Sequence, residues 1–214
     1  PEAMKLWLAS KPLVEKKLAA QGIQVLFTVP WGPQGIYAKK DINSIEDMKG
    51  LKWRAYNVGT ARIGELVGAQ AVTIQAAELP QALATGVVNA FMSSGATGYD
   101  SKVWESLTHF YDTRAWIPRN ITFINKAALD ALDPPTREAV LKAAKVAEER
   151  GWKMWENKTE WYHEEIAKKG MKVLKPSPEL QAGFKKIGDQ LTADWLKRAG
   201  AEGQAVIDAY KKSL

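Results

Sequence analysis

Arg54 is the residue of this sequence whose chemistry is most specific. It lies on a predicted strand at residues 51–56, between the aromatic residues Trp53 and Tyr56. A planar guanidinium next to apolar surface is suited to bind a carboxylate through two parallel hydrogen bonds. A surface or interdomain ion pair would use the same side chain, so the residues alone leave both interpretations open.

Other side chains are predicted to complete a binding site around Arg54. Small residues 93–98 directly follow a predicted buried strand, so their hydroxyl and backbone N–H groups are free to contact a ligand. The turn-rich stretch 30–35 and the end of an aromatic-rich strand at 109–117 supply further contacts. The candidate ligand-binding residues besides Arg54 are Ser93, Trp31, Gln34, Trp116, Phe91 and Asn120.

Catalysis and metal binding have little support in the residue pattern. The sequence has no Cys, which excludes disulfides, thiolate catalysis and Cys-based zinc sites. Its histidines, His109 and His163, belong to no metal-spacing motif, and His163 is predicted to lie on a helix surface. No glycine-rich phosphate loop or nucleophile elbow occurs. We therefore predict a binding protein that is not an enzyme, with no cofactor and no metal-ligating residue.

The composition indicates a globular chain with a sizeable core. The 214 residues are 46% hydrophobic, and the net charge of +6 comes from Lys and Arg spread among Asp and Glu. Because no clustered basic stripe accompanies that charge, we predict no nucleic-acid partner. The sequence has no apolar run of about 18 residues and no signal-peptide pattern at its start.

Residues 49–94 alternate strands with helices. Strand candidates at 51–56, 72–74 and 87–92 are separated by helix candidates at 60–67 and 77–84, which Gly68 and Gly86 end. Such alternation predicts a parallel sheet, and ligands of such sheets bind beyond the carboxyl ends of the strands. Arg54 lies near one of these ends.

The longest predicted helix spans residues 134–169. Asp133 is a suitable N-cap, Pro134 suits the first helical position, and Gly170 follows the end. A helix of this length could pack against a second copy of the chain in a homodimer, or equally span the hinge of a monomer.

Three stretches together resemble one family. They are residues 45–54 (IEDMKGLKWR), the pair Gly68 and Ala69, and residues 83–90 (LATGVVNA). They resemble the substrate-binding proteins of TRAP transporters, the tripartite ATP-independent periplasmic systems for organic acids. Residues 124–126 and the long helix extend the resemblance over essentially the whole chain.

The resemblance implies an α/β fold of the type II periplasmic binding protein kind, with two α/β domains around a cleft and a long bridging helix. It implies a periplasmic receptor that binds an organic acid and delivers it to TRAP membrane permease subunits. The family arginine that pairs with the ligand carboxylate falls on Arg54. Ser93 stands where many members have asparagine, and Gln34 stands where some have a second arginine. These departures favour a ligand with one carboxylate and a less charged remainder. Trp31, Trp53 and Trp116 would suit an aromatic remainder, but the sequence leaves open whether it is aliphatic or aromatic.

The resemblance also implies domain boundaries. Residues 31–118 form the second domain, 1–30 and 119–133 belong to the first, 134–169 bridge the two, and 170–214 pack on the second. Family members begin with a signal peptide and an N-terminal α/β segment that these residues lack. We therefore expect the first domain to be incomplete and one wall of the cleft to be absent.

Two alternatives remain open from the sequence. The ligand-bound protein could address a membrane sensor in place of a permease. A hydrolase or transferase could use the loop at residues 93–98, but such chemistry needs an activating base, and the sequence offers no evident one.

Overall fold

The computed structural model describes residues 2–214 apart from the side chain of Glu156, so Pro1 and that side chain lie outside the described part of the chain. The helices are α1 (Glu2–Ala19), α2 (Val58–Leu66), α3 (Leu79–Ala84), α4 (Gly95–Asp100), α5 (Lys126–Asp130), α6 (Pro134–Lys168) and α7 (Pro178–Ser213). The strands are β1 (Ile23–Pro30), β2 (Gln34–Ala38), β3 (Lys52–Ala55), β4 (Gln70–Thr73), β5 (Ala90–Ser93), β6 (His109–Trp116), β7 (Arg119–Asn125) and β8 (Lys172–Leu174). The predicted α/β class is confirmed.

The ends of the long helices follow the local sequence signals. At the start of α6, Asp133 Oδ1 accepts the backbone N–H of Thr136 at 3.0 Å, and Gly170 follows the helix with a φ of 93°. The two helices predicted at 178–199 and 202–212 form α7, which is helical throughout except at Gly200. None of the helices between residues 2 and 214 combines the length and apolar composition that crossing a bilayer requires.

The chain forms two compact units. Unit 1 contains the chain up to Trp31, residues 118–156 and residues 191–214, and unit 2 contains residues 32–117 and 157–190. The structure differs here from the predicted boundaries, which assign all of 170–214 to the second domain. Residues 191–214 group with unit 1, where Glu202 pairs with Lys17 of α1 at 2.7 Å. The predicted arrangement of two domains around a cleft stays a prediction.

Unit 2 is built on a mixed six-stranded sheet in the order β4-β3-β5-β2-β6-β8. β3 is parallel to β4 and β5, which confirms the parallel arrangement predicted for residues 49–94. β6 is parallel to β8, whereas β2 runs antiparallel to both of its neighbours, β5 and β6. The sequence pattern does not predict β2, and its insertion makes the sheet mixed.

The core of unit 2 lies on the central strands. Tyr37 of β2 is fully buried, with the rings of Phe91 and Phe110 each 4.6 Å from its own. On the other side of β3, Trp53 packs on α2, where a Cβ at Gly64 would lie 2.6 Å from the indole Cδ1. Close packing of this kind fixes the strands that carry the candidate site.

Unit 1 contains the two-stranded antiparallel sheet of β1 and β7, packed on the first part of α6. Thr28 of β1 is fully buried and donates its N–H and its hydroxyl to Glu148 Oε1 of α6, at 3.0 and 3.1 Å. Trp152 Nε1 of the same helix donates to the Thr28 carbonyl at 2.8 Å. Packing α6 on the sheet buries polar groups of both elements, and these hydrogen bonds satisfy them.

Candidate ligand-binding site

One edge of the unit 2 sheet collects most of the predicted binding residues. Arg54 lies opposite Phe91 on the parallel strands β3 and β5. The antiparallel pairings place the start of β2 at the same edge, with Gly35 opposite Ser93 and Gln34 opposite Trp116. The carboxyl ends of β3, β5 and β6 therefore meet there, as the topology rule for ligand sites requires.

Arg54 is buried without an anionic partner. The residue is 3% exposed, and its Nε donates to the carbonyl of Ile74 at 2.8 Å. None of the Asp and Glu side chains that the structure describes forms an ion pair with it, so the structure shows no such pair for Arg54 among them. Burial lowers the pKa of the guanidinium from its ordinary value. A buried cation of this kind is stabilised by an anion that binds beside it.

Tyr56 lies directly against the arginine. The Arg54 Cζ is 5.0 Å from the centre of the Tyr56 ring, within the range of a cation–π contact. The Tyr56 hydroxyl donates to Gln34 Oε1 at 2.8 Å. Burial raises the pKa of Tyr56 to about 12, so the hydroxyl keeps its proton and remains a donor. This bond leaves the Gln34 amide nitrogen without a partner among the described residues.

Trp116 is brought to the site by an irregularity in β6. Residues 112–115 stand opposite the single residue Gly35, so the strand bulges before Trp116 pairs with Gln34. Within the bulge Arg114 adopts a φ of 49°, and its guanidinium contacts Asp112 at 3.0 Å and Glu160 of α6 at 2.7 Å. Bulges of this kind change the direction in which a side chain points and occur next to functional sites.

The Trp116 indole fits against the start of α2. A Cβ at Gly59 would lie 2.8 Å from Trp116 Cη2, so only glycine leaves room for the ring. The indole N–H is buried and makes no hydrogen bond of acceptable geometry with any described residue. The indole nevertheless lies close to the Tyr56 hydroxyl. Its interaction with that hydroxyl lowers the pKa of Tyr56, whereas burial raises it by more.

The N-terminus of helix α2, with its partial positive charge, lies at this edge of the sheet. Asn57 caps it by accepting the Thr60 N–H at 2.8 Å, and the Thr60 hydroxyl is near the Asn57 N–H at 3.2 Å. Because Asn57 follows Tyr56 directly, the helix N-terminus lies beside the arginine strand. Unpaired N–H groups at a helix N-terminus favour a nearby negative charge.

Ser93 and Phe91, both on β5, have different surroundings. Ser93 is 4% exposed and its hydroxyl donates to Thr97 Oγ1 at 2.8 Å. Phe91 is fully buried in the core against Tyr37, and its pairing with Arg54 on the neighbouring parallel strand places both side chains on the same face of the sheet. The ligand contacts predicted for Ser93 and Phe91 stay predictions.

Trp31 and Asn120 belong to unit 1. The Trp31 ring lies 5.0 Å from that of Trp155, and Asn120 is an exposed residue of β7 opposite Val29. The neighbouring Arg119 lies over the Trp7 ring at 4.1 Å, and its buried Nε has no acceptor among the described residues. The ligand contacts predicted for Trp31 and Asn120 stay predictions too.

The sequence analysis did not select Tyr56 and Gly59 as site residues. The signal for Tyr56 is its spacing, since residues two apart on a strand share a face and Arg54 and Tyr56 are two apart. The same rule turns Trp53 to the opposite face, where its Nε1 donates to the Thr60 carbonyl at 3.0 Å. Gly59 has no comparable signal, because its role depends on the distant Trp116.

The structure shows no metal centre among the His, Asp and Glu side chains that it describes. No three or more of these side chains are arranged to hold a metal ion. The prediction that His163 lies on a helix surface is wrong, because this residue is 6% exposed. It packs against Gly95 and Phe110, so the face of α6 that carries it points into unit 2.

The comparisons with known proteins agree with this architecture. The model of the family described as bacterial extracellular solute-binding protein, family 7, matches residues 5–198. A Bordetella pertussis extracytoplasmic solute receptor, solved as a structure binding pyroglutamic acid, is 55% identical with a TM-score of 0.97, and the match covers 99% of this chain and 70% of that one.

Two further structures extend the comparison. A TRAP solute-binding protein from an unidentified marine microbe, solved with co-purified pyroglutamate, is 44% identical over 99% of this chain and 69% of that chain, with a TM-score of 0.95. The periplasmic ectoine-binding protein of a Halomonas elongata TRAP transporter is 20% identical with a TM-score of 0.88 over 99% of this chain and 71% of that one, which shows the shared fold. The chain therefore belongs to family 7 of the bacterial extracellular solute-binding proteins, and its predicted resemblance to the TRAP receptors is confirmed.

Proposed function

We propose that this receptor binds pyroglutamate, or a cyclic monocarboxylate of similar size, through Arg54. The guanidinium pairs with the carboxylate, and the Tyr56 ring, Gln34 and Trp116 surround the remainder of the ligand. The relatives that are 55% and 44% identical were both solved with pyroglutamate, which supports this choice over a dicarboxylate.

The proposal rests on the burial of Arg54 without an anionic partner among the described side chains. A buried cation without a counter-charge is costly, and removing an anionic partner from a buried pair costs about 3–5 kcal/mol. Arg54 is 3% exposed, and its Nε is held by the Ile74 carbonyl. The outer nitrogens are therefore the groups that a carboxylate ligand would satisfy.

We propose that binding occurs without turnover. Ser93 is the nucleophile of the alternative hydrolase hypothesis, and its hydroxyl is bonded to the Thr97 hydroxyl, which is not a base. The relatives named above are solute receptors, which supports the same conclusion. A turnover assay with ester and amide derivatives of the ligand that showed activity lost in Ser93→Ala would contradict it.

The proposed partners follow from the family. We propose a periplasmic location and delivery of the ligand to TRAP membrane permease subunits, and the comparisons support this receptor over a partner of a membrane sensor. A homodimer through α6 stays a prediction that sedimentation equilibrium tests. It is supported by the apolar side chains Leu141, Val146 and Met154, which are 41%, 57% and 45% exposed.

A thermal-shift titration of the protein with pyroglutamate tests the proposal. Ligand at one hundred times its dissociation constant adds about 2.7 kcal/mol of stability, which corresponds to a rise in Tm of about 5–10 °C for a chain of this size. We expect Arg54→Gln to remove this rise, because the variant cannot neutralise the carboxylate.

Arg62→Ala is the matched control. Arg62 is an exposed arginine of α2 that pairs with Glu65 at 2.9 Å, so its loss removes the same charge away from the site. The control should keep the full rise in Tm. Equal binding by wild type and by folded Arg54→Gln would refute the proposed role of Arg54.

A further inference from the structure

The bulge of β6 determines how the neutral part of the candidate site is held. Trp116 follows the bulge, and its buried indole interacts with the Tyr56 hydroxyl, which in turn donates to Gln34 Oε1. Thr113, within the bulge, donates its hydroxyl to the Gln34 carbonyl at 3.2 Å. A change in the shape of the bulge would therefore move the groups that hold Tyr56 and Gln34 in place.

One arginine joins the bulge to the neighbouring helix. Arg114 contacts Asp112 of the bulge at 3.0 Å and Glu160 of α6 at 2.7 Å, and all three residues belong to unit 2. No Lys and no other Arg of the described residues lies within ion-pair distance of these two acids. His163 is 3.9 Å from both, but burial lowers its pKa and so favours its neutral form. Arg114 is therefore the cation that neutralises the two carboxylates.

The backbone of Arg114 adopts an unfavourable conformation. Its φ of 49° lies in the left-handed region, which suits glycine and, among residues with a side chain, asparagine better than arginine. Such a conformation persists only where the surrounding structure imposes it. The Nε and Nη2 atoms of Arg114 are both held by a carboxylate, one on the same strand and one on α6. The ion pairs therefore help to keep the bulge in this shape.

We infer that Arg114 and Glu160 are positioning residues of the ligand site, which hold the β6 bulge in the shape that places Trp116 against Tyr56. The inference rests on the proposed function, because the affinity for pyroglutamate reports the shape of the bulge. When only a fraction of the molecules has the binding-competent shape, the observed affinity falls by that fraction. Partly exposed ion pairs are individually weak, so the expected effect is several-fold and binding is not abolished.

Two amide variants of Arg114 test the inference in calorimetric titrations with pyroglutamate. Arg114→Gln and Arg114→Asn both remove the ion pairs, but asparagine adopts the left-handed conformation more readily than glutamine does. We expect Arg114→Gln to weaken binding about fivefold and Arg114→Asn to weaken it less than about twofold. The loss of one positive charge is the same in both variants, so the difference between them reports the bulge.

Glu160→Gln tests the helix side of the same contact. The Glu160 side chain is 67% exposed, so its replacement leaves the packing of unit 2 intact. We expect binding about two- to threefold weaker, and the double variant with Arg114→Gln should bind no more weakly than Arg114→Gln alone. Lys168→Gln is the control, because it removes a 2.7 Å ion pair with Glu165 elsewhere on α6 and should bind as the wild type does.

Three results would overturn the inference. They are wild-type affinity in Arg114→Gln, equal weakening by the two amide variants, and additive losses in the double variant. The proposed function would survive each of them if the wild type bound pyroglutamate and Arg54→Gln did not. A wild-type protein that did not bind pyroglutamate would overturn both.

Discussion

Tyr56 links the charged and the neutral parts of the candidate site. Its ring contacts the Arg54 guanidinium, and its hydroxyl holds the Gln34 amide in one orientation. Because burial raises the pKa of Tyr56 to about 12, neither contact changes in the neutral pH range. The orientation of Gln34 is therefore fixed before a ligand arrives, which reduces the entropy that binding must overcome.

We expect the affinity for pyroglutamate to be constant between about pH 6 and pH 9, because the ligand carboxylate stays ionised and Tyr56 stays protonated over that range. Deprotonation of Tyr56 would break its bond to Gln34, so affinity should fall only as the pH approaches about 12. Calorimetric titrations at several pH values check this. In Tyr56→Phe we expect affinity about three- to tenfold lower at every pH. A loss of wild-type affinity centred below pH 9 would contradict the assignment.

At the scale of helices and strands, α2 holds the loop that carries Tyr56. Asn57 caps this helix with its side chain while Thr60 bonds back to the Asn57 N–H. The cap fixes the backbone directly after Tyr56. Loss of the cap should therefore affect both stability and ligand affinity.

We expect Asn57→Ala to lower the free energy of unfolding by about 1 kcal/mol, the usual cost of losing a polar N-cap. Urea denaturation followed by circular dichroism measures this change. Val58→Ala is a suitable control, because Val58 is the next residue of the same helix and is 81% exposed. If the two variants unfold at the same urea concentration, the cap does not contribute as the structure indicates.

Local signals in the sequence predicted a large part of this arrangement. Gly68 and Gly86 have φ values of 71° and 72° after α2 and α3, and Asp133 caps α6 as expected. Arg54 was predicted on a strand because that strand and the helix after it both have clear local patterns, and the structure places it on β3. These features depend on residues that are close together in the chain.

The rest depends on partners that are distant in the chain. β2 contains Gln34 and Gly35, which are weak strand formers after Pro33, and it becomes a strand because β5 and β6 pair with its two edges. The bond between Tyr56 and Gln34 and the fit of Trp116 on Gly59 follow from that pairing. No periodicity within one segment reports such contacts.

At the scale of the whole molecule, His163 makes the free energy of unfolding depend on pH. It is buried in unit 2, with Asp112 and Glu160 each 3.9 Å from its Nδ1, and Arg114 lies beside both acids. Burial lowers the pKa of His163 and outweighs the two carboxylates, which act in the opposite direction. The folded protein therefore favours the neutral imidazole.

The lowered pKa of His163 determines how its contribution to stability changes with pH. The pKa of His163 in the folded state lies below its value of about 6.5 in the unfolded chain, so the unfolded chain binds more protons between the two values. The contribution of His163 is fully present above about pH 6.5 and is lost as the pH falls. We expect His163→Gln to reduce the drop in urea midpoint between about pH 7.5 and pH 5 relative to wild type. The same drop in both proteins would show that His163 does not contribute.

The strand order of the two sheets has a further consequence for how the chain folds. Ile23 pairs with Asn125 in unit 1, and the edge of the unit 2 sheet is completed only by β8 at Lys172–Leu174. Folding slows as contacts join residues that are farther apart in the chain, because the loop between them must close first. During synthesis, β1 therefore stays without its partner until β7 (Arg119–Asn125) is made, and one edge of β6 stays open until β8 (Lys172–Leu174) is made. During that interval the unpaired strands are the part of the molecule most exposed to aggregation, and a chaperone that covers them would have the largest effect on yield.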